Sequence, residues 1–308
     1  MGWMITTEDR AAPIGRQRPP RRWTKHLFAW AMVGPAALIL LALVAYPLVS
    51  LLLMSFRDYG ASGGTTAFEW VGPKWYAQLA SDPRFIGGLR RTLTYSAWSV
   101  VGALILGTGL ALLLDRNGRG MGTLRVLFIL PYTTMIVAAA LLWNIMLNPA
   151  NGIVNHFLQS LGLPVGSWLA DPRTVLPTLI GIQIWRSAPF AMLIALAALR
   201  SMPLEPFEAA DIDGASPVQK FRFLTLPMIR TALATAALFM LIDTLKQFPL
   251  IYVLTGGGPL RASETLYIYG YNLAFRFFDI GYGSAVLVAL LLLVLAVSLV
   301  WLRLRSQT

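Results

Sequence analysis

The groups in this sequence best placed to do chemistry are a few ionisable residues inside apolar runs. Asp243, Lys246 and Gln247 interrupt the apolar stretch Thr231–Leu254, and Arg186 interrupts Thr174–Leu199. An ionisable group at membrane depth is costly and marks function by default. Asp243 and Lys246 are three residues apart, so on a helix they can pair. With Gln247 they could form a polar path that hydrogen-bonds a hydroxylated solute. They could equally be an internal ion pair that holds helices together. Arg186, beside Gln183 and Trp185, reads as a gate element or as a packing charge. Trp143 and Asn144, in the run Val126–Leu147, could face the same path. Tyr252, Tyr267, Tyr269, Tyr271 and Asn272 read as anchors at the membrane interface, or some of them as the aromatic and polar lining of an outer vestibule for a sugar. No catalytic residue and no metal site are expected. The chain has no cysteine, which excludes a thiol nucleophile, a disulfide and a Cys-ligated zinc. Its two histidines, His26 and His156, are too few for a His-rich metal site. No Gly-x-x-x-x-Gly-Lys-Ser/Thr phosphate loop is present, so this chain should not hydrolyse ATP. The run Gly256-Gly257-Gly258-Pro259 lacks the following Lys and reads as a tight turn.

These residues need elements to hold them. The chain has 308 residues, 56% hydrophobic and 13% charged, against about 25% charged in an average soluble domain. That excess points to an all-α polytopic membrane protein. A bilayer core takes about 20 apolar residues of helix. Six spans follow, at about 27–54, 92–114, 126–147, 174–199, 231–254 and 284–302. The first is too long for a signal peptide, ends at a poor cleavage site, and reads as a retained anchor. Before it lies a basic tail, 1–26, and after the last span a short terminus, 305–308. The net charge of +11 could serve nucleic acid or orient the helices, and its placement decides. Arg10, Arg16, Arg18, Arg21, Arg22 and Lys25 in the tail, Arg116 and Arg119, then Arg200, Lys220, Arg222 and Arg230, and finally Arg303 and Arg305 fall on one side. Fewer fall on the other, although Arg90 and Arg91 sit against the trend. The positive-inside rule then puts both termini in the cytoplasm. The tail lacks interleaved aromatics and abuts a span, so no nucleic-acid partner is expected.

On the cytoplasmic side, residues 200–230 form a loop with dense turn chemistry. Pro206 suits the first turn of a helix. Glu208 and Asp211 then lie where the helix dipole favours negative charge. Gly214 can end that helix. A second short helix could run from Pro217 to Phe223, closed by Pro227. The pair would offer Phe207, Ala210, Ile212, Phe221 and Phe223 as apolar contacts beside acidic groups.

This loop closely resembles the EAA loop of bacterial ABC importer permeases. Glu208-Ala209-Ala210, Gly214, Leu224 and Leu226-Pro227 fit the family spacing without a gap, and Asp213-Gly214-Ala215 looks like the carbohydrate-uptake branch, with maltose, trehalose and glycerol-3-phosphate permeases among its members. Leu254-Thr255-Gly256-Gly257-Gly258-Pro259, Phe275, Asp279-Ile280-Gly281, Leu130-Pro131, and Trp143 with Gly152 and Asn155 also fit. The likeness covers about residues 27–304. It implies a type I importer permease in a bacterial inner membrane, carrying a sugar or related polyol by alternating access. It also implies partners: a second permease, two ATP-binding cassette subunits that hold ATP and Mg, an extracytoplasmic solute-binding protein, and membrane lipid. Glu208, Ala209, Ala210, Asp213, Gly214, Leu226 and Pro227 would couple to the ATPase, with no cofactor held by this chain. The relatives often have Asn-Thr-Leu where this chain has Arg91-Thr92-Leu93, a different charge at the outer face. The competing reading, a secondary transporter or channel, would need ion-coupling residues or internal repeats, and neither is clear.

Overall fold

Within a hydrocarbon layer a backbone N–H finds an acceptor only inside the protein, so apolar spans become helices. The computed structural model describes residues 22–60, 68–115, 118 and 120–305. The long helices are α1 (Arg22–Met54), α3 (Pro83–Leu114), α4 (Met121–Thr133), α5 (Ile136–Met146), α7 (Val175–Arg200), α10 (Leu226–Leu245) and α13 (Ile280–Arg305). Between them lie α2 (Lys74–Ser81), α6 (Ile153–Ser160), α8 (Glu205–Ile212), α9 (Pro217–Lys220), α11 (Pro249–Thr255) and α12 (Leu266–Phe275). Strands β1 (Arg57–Asp58) and β2 (Glu69–Trp70) pair antiparallel, with Arg57 opposite Trp70. Residues 1–21, Arg116, Arg119 and residues 306–308 lie outside the described residues, and with them most of the basic tail.

Among the described residues five helices are long and apolar enough to cross a membrane, and α4 with α5 forms a bent pair, a broken sixth span or a re-entrant loop. The expected continuous span 126–147 is a correction. α4 and α5 meet at 95°. Pro131 supplies no N–H to the helix ladder. The carbonyl of Leu130 then accepts from the Thr134 N–H at 3.1 Å and its hydroxyl at 2.8 Å, which closes α4. A second difference concerns 231–254. The helix stops at Leu245 and resumes only at Pro249.

The chain divides between Ser50 and Leu51 into two compact units. In the first, the apolar side chains of α1, such as Leu38, Leu41 and Tyr46, are exposed. In the second, the central seam is α3 against α7, which run parallel. Tyr95 meets Gln183 at one level, and Gly107 meets Ala191 further along. Membrane helices gain little from the hydrophobic effect, so close approach through small residues drives their packing. A Cβ on Gly107 would lie 2.5 Å from the Ala188 carbonyl and 2.6 Å from the Ala191 Cβ. Ala103, Ala111, Ala188, Ala191 and Ala195 are buried along the same seam. At one end Asp115 pairs with Arg200 at 3.6 Å. There Arg125 also donates to the carbonyl of Leu114 at the helix end, at 2.6 Å through Nη2.

This seam predicts a positional contrast. Gly107→Val should cost about 1–3 kcal/mol by overpacking, read as a lower midpoint of thermal unfolding. Gly109→Val, where a Cβ meets nothing within 4 Å, should be tolerated. Equal effects would contradict the seam.

Candidate functional site

Two sites stand on this scaffold, joined by one helix. The first is the 200–230 loop. Glu205 and Glu208 occupy the first turn of α8, with Pro206 beside them. The helix ends on Gly214 at φ +71°, in open space. The Ala215 N–H reaches back to the Ala210 carbonyl at 2.9 Å, and the Gly214 N–H to the Asp211 carbonyl at 3.1 Å. These two bonds are a Schellman stop, which needs a left-handed residue at that position. Ser216 then opens α9 with a reciprocal capping box to Gln219. Lys220 forms an ion pair with Asp211, bracing α9 to α8. Glu208, Ala209, Asp213, Leu226 and Pro227 are exposed, and Ala210 half-buried. Pro206, Ala209, Ala210, Asp213 and Phe223 help to line a shallow groove of about 380 Å³.

Pro227 does not close a second short helix, and that expectation is corrected. The chain runs on from α9 through a π-helical turn, Phe221–Thr225, into α10. Leu226 N–H bonds the Phe221 carbonyl, five residues back. A proline ring clashes with the carbonyl four residues before it in an α-helix. The wider turn accommodates Pro227, so Pro217–Leu245 is one helical rod.

The second site lies toward the far end of that rod. Gln183, 0% exposed, accepts from the Tyr95 hydroxyl at 3.1 Å and from the Gln247 amide at 3.2 Å. It donates to Ser187 at 2.9 Å. Gln247 is therefore a buried tie between α7 and the end of α10. It does not face an open path. Asp243 does not pair with Lys246 either. Its carboxylate sits 3.7 Å from Arg186, whose side chain is 16% exposed against 51% for Asp243. The Arg186 Nε is buried without a partner. Phe239, Asp243 and Lys246 follow one another at helical spacing on one exposed face. Trp185 and Trp143 meet edge to face at 5.4 Å on the neighbouring helices, and Asn144 is exposed beside Trp143.

Lys246 caps the end of α10 and has no ion pair or hydrogen bond among the described residues. The helix dipole gives such a cation about 0.3–1 kcal/mol. A cation at the centre of a membrane helix costs about 2.5–3.5 kcal/mol. The dipole alone does not cover that cost, so the Lys246 head group favours water or another polar surface over lipid tails.

Beyond Lys246 the tyrosines divide. Tyr252 and Tyr271 join Phe248 in an aromatic cluster, with ring centroids 4.9 and 4.8 Å from that of Phe248. Tyr269 and Asn272 are buried, which corrects their reading as interfacial anchors. Tyr269 and Tyr282 both donate to Asp82 at 2.6 Å. Burial works against the Asp82 charge, but these hydroxyls and the backbone N–H of Arg84 outweigh it and hold the carboxyl below its ordinary range. Glu264, which no sequence signal singled out, is buried and bidentate with Arg84 at 2.9 and 2.6 Å. Arg91 donates to the Glu264 carbonyl at 2.7 Å, and the Leu266 N–H donates to the Thr92 hydroxyl at 2.9 Å. The unusual Arg91-Thr92 pair thus fastens the segment that leads into α12.

Comparison with known proteins fits this geometry. Residues 100–306 match the family described as binding-protein-dependent transport system inner membrane component. The sulfoquinovosyl glycerol transport system permease protein SmoG of Agrobacterium fabrum is 32% identical, over 97% of this chain and 96% of its own. The trehalose/maltose transport system permease protein MalF of Thermococcus litoralis is 34% identical, over 76% and 79%. Among solved structures, a bacterial ABC transporter involved in import of the acidic polysaccharide alginate superposes with TM-score 0.80. It covers 92% of this chain and 96% of that one at 24% identity, a likeness of fold.

The buried tie and the exposed charge predict different responses. Gln247→Leu leaves Gln183 short of a donor and should destabilise by about 1–3 kcal/mol. Lys246→Leu should cost less, no more than the dipole's contribution of about 0.3–1 kcal/mol. Thermal unfolding of the purified complex reads both, and equal losses would contradict the assignment.

Proposed function

The chain belongs to the family of binding-protein-dependent transport system inner membrane components, and from that premise we propose how its two sites work together. It is a multi-pass permease subunit of an ATP-driven importer, and ATP is hydrolysed by separate subunits. Its solute is a sugar or related polyol, a reading supported by the named solutes of its relatives. A second, related permease supplies the other half of the path. Two ATP-binding cassette subunits hold ATP and Mg, and this chain holds no cofactor. A solute-binding protein delivers from outside, and both termini are cytoplasmic in a bacterial inner membrane.

The observation that carries this reading is the continuous helix from Pro217 to Leu245. One of its ends is braced to α8 by Lys220 and Asp211, and the other carries Asp243. Exposed Glu208, Ala209, Asp213 and Gly214 seat α8 in a cleft of the ATPase, with Leu226 and Pro227 at the base of the rod. When the ATPases close, α8 moves and the rod swings with it. The half-exposed Arg186–Asp243 pair, Lys246, Trp143 and Asn144 then face alternate sides of the membrane. The ligand-driven switching is between two states of unequal affinity.

Glu208→Lys and Gly214→Pro test this. Proline cannot take the positive φ of residue 214. Each variant should abolish solute uptake by the reconstituted importer while the complex stays assembled and its ATPase subunits still bind nucleotide. Full uptake by either variant would refute the coupling role.

A further inference from the structure

We propose that the path selects an anionic solute, a saccharide bearing a carboxylate, sulfonate or phosphate, and that Lys246 is its charge determinant. This rests on the transport-path reading above. Had Asp243 paired with Lys246, the path would be neutral there. Instead Asp243 is held by Arg186 at 3.7 Å, and that pair cancels. Lys246 is left as the surplus charge on the exposed face of α10. No ion pair or hydrogen bond reaches it among the described residues, and the Gln247 beside it is turned inward to Gln183. Two residues further on, the Phe248–Tyr252–Tyr271 cluster begins, and Arg276 lies 5.7 Å over the Tyr252 ring. Aromatic faces accept the C–H faces of a sugar ring, and the two cations along this stretch favour a negative substituent. A positive charge facing a cleft with low-dielectric walls raises the local concentration of anions.

The native chain has no cysteine, so Phe239→Cys, on the same face as Lys246, gives a single reporter. In the assembled importer, its modification by the anionic sulfonatoethyl methanethiosulfonate is compared with that by the cationic trimethylammonium reagent. The reaction is read on this chain by mass spectrometry. With each rate taken relative to that reagent's rate with free 2-mercaptoethanol, the anion should react faster by on the order of tenfold. Adding Lys246→Gln should erase the preference, and Lys246→Arg should keep it. Methyl glucuronide at millimolar concentration should slow the labelling, and methyl glucoside should not. Equal rates for the two reagents would overturn the proposal, as expected if a carboxylate of a second permease neutralises Lys246. A preference that survives Lys246→Gln, equal protection by the two sugars, or no protection by the glucuronide would overturn it too. No reaction with either reagent would mean that no water reaches this face, and would refute the transport path itself.

Discussion

Inside a bilayer and away from water a polar side chain is satisfied by the protein or not at all, and Gln183 is where this chain meets that constraint. Its amide joins α3 through Tyr95, α10 through Gln247 and its own helix through Ser187. The bond from Tyr95 forms only if α3 and α7 approach closely, which Gly107 and the alanines of the seam permit. A larger residue at Gly107 would part the helices. The Tyr95 tie would stretch, and the amide that anchors the end of α10 would lose one of its bonds. Where α10 ends determines where Asp243 and Lys246 stand.

The same helix links the two sites. At its start the Schellman stop at Gly214 and the capping box at Ser216 set the angle between α8 and the rod. The π turn then carries the helix past Pro227 without a break. At its end the chain leaves helical geometry for Lys246, Gln247 and Phe248, and the tie to Gln183 fixes that exit. A displacement of α8 is therefore delivered to the charged face by an element with few internal freedoms.

Much of this was legible in the sequence, and the parts that were not share a cause. Apolar length is local information, and it revealed the spans. The spacing from Glu208 to Pro227 revealed the loop, because caps and stops are local too. The bend between α4 and α5 was hidden, since an apolar run of spanning length carries no sign of its direction. Pro131 with Thr133 and Thr134 was the available signal. The partner of Asp243 was hidden because the choice between Lys246 on its own helix and Arg186 on another is tertiary. Glu264 was missed for the same reason: its partners Arg84 and Arg91 are distant in the chain. The π turn before Pro227 was readable only as a proline that should end a helix.

The claim on which the account turns is that residues 217–245 move as one rod. The absence of cysteine allows spin labels at two chosen positions, and Val218 and Phe239 are both exposed. Along a helix they are about 30 Å apart. Pulsed electron–electron resonance in the assembled importer, nucleotide-free and ATP-bound, measures that distance directly. The account predicts a single narrow distance, unchanged between the two states. A distance that shortens by several ångströms when ATP binds would show the rod bending at the π turn, and would contradict it.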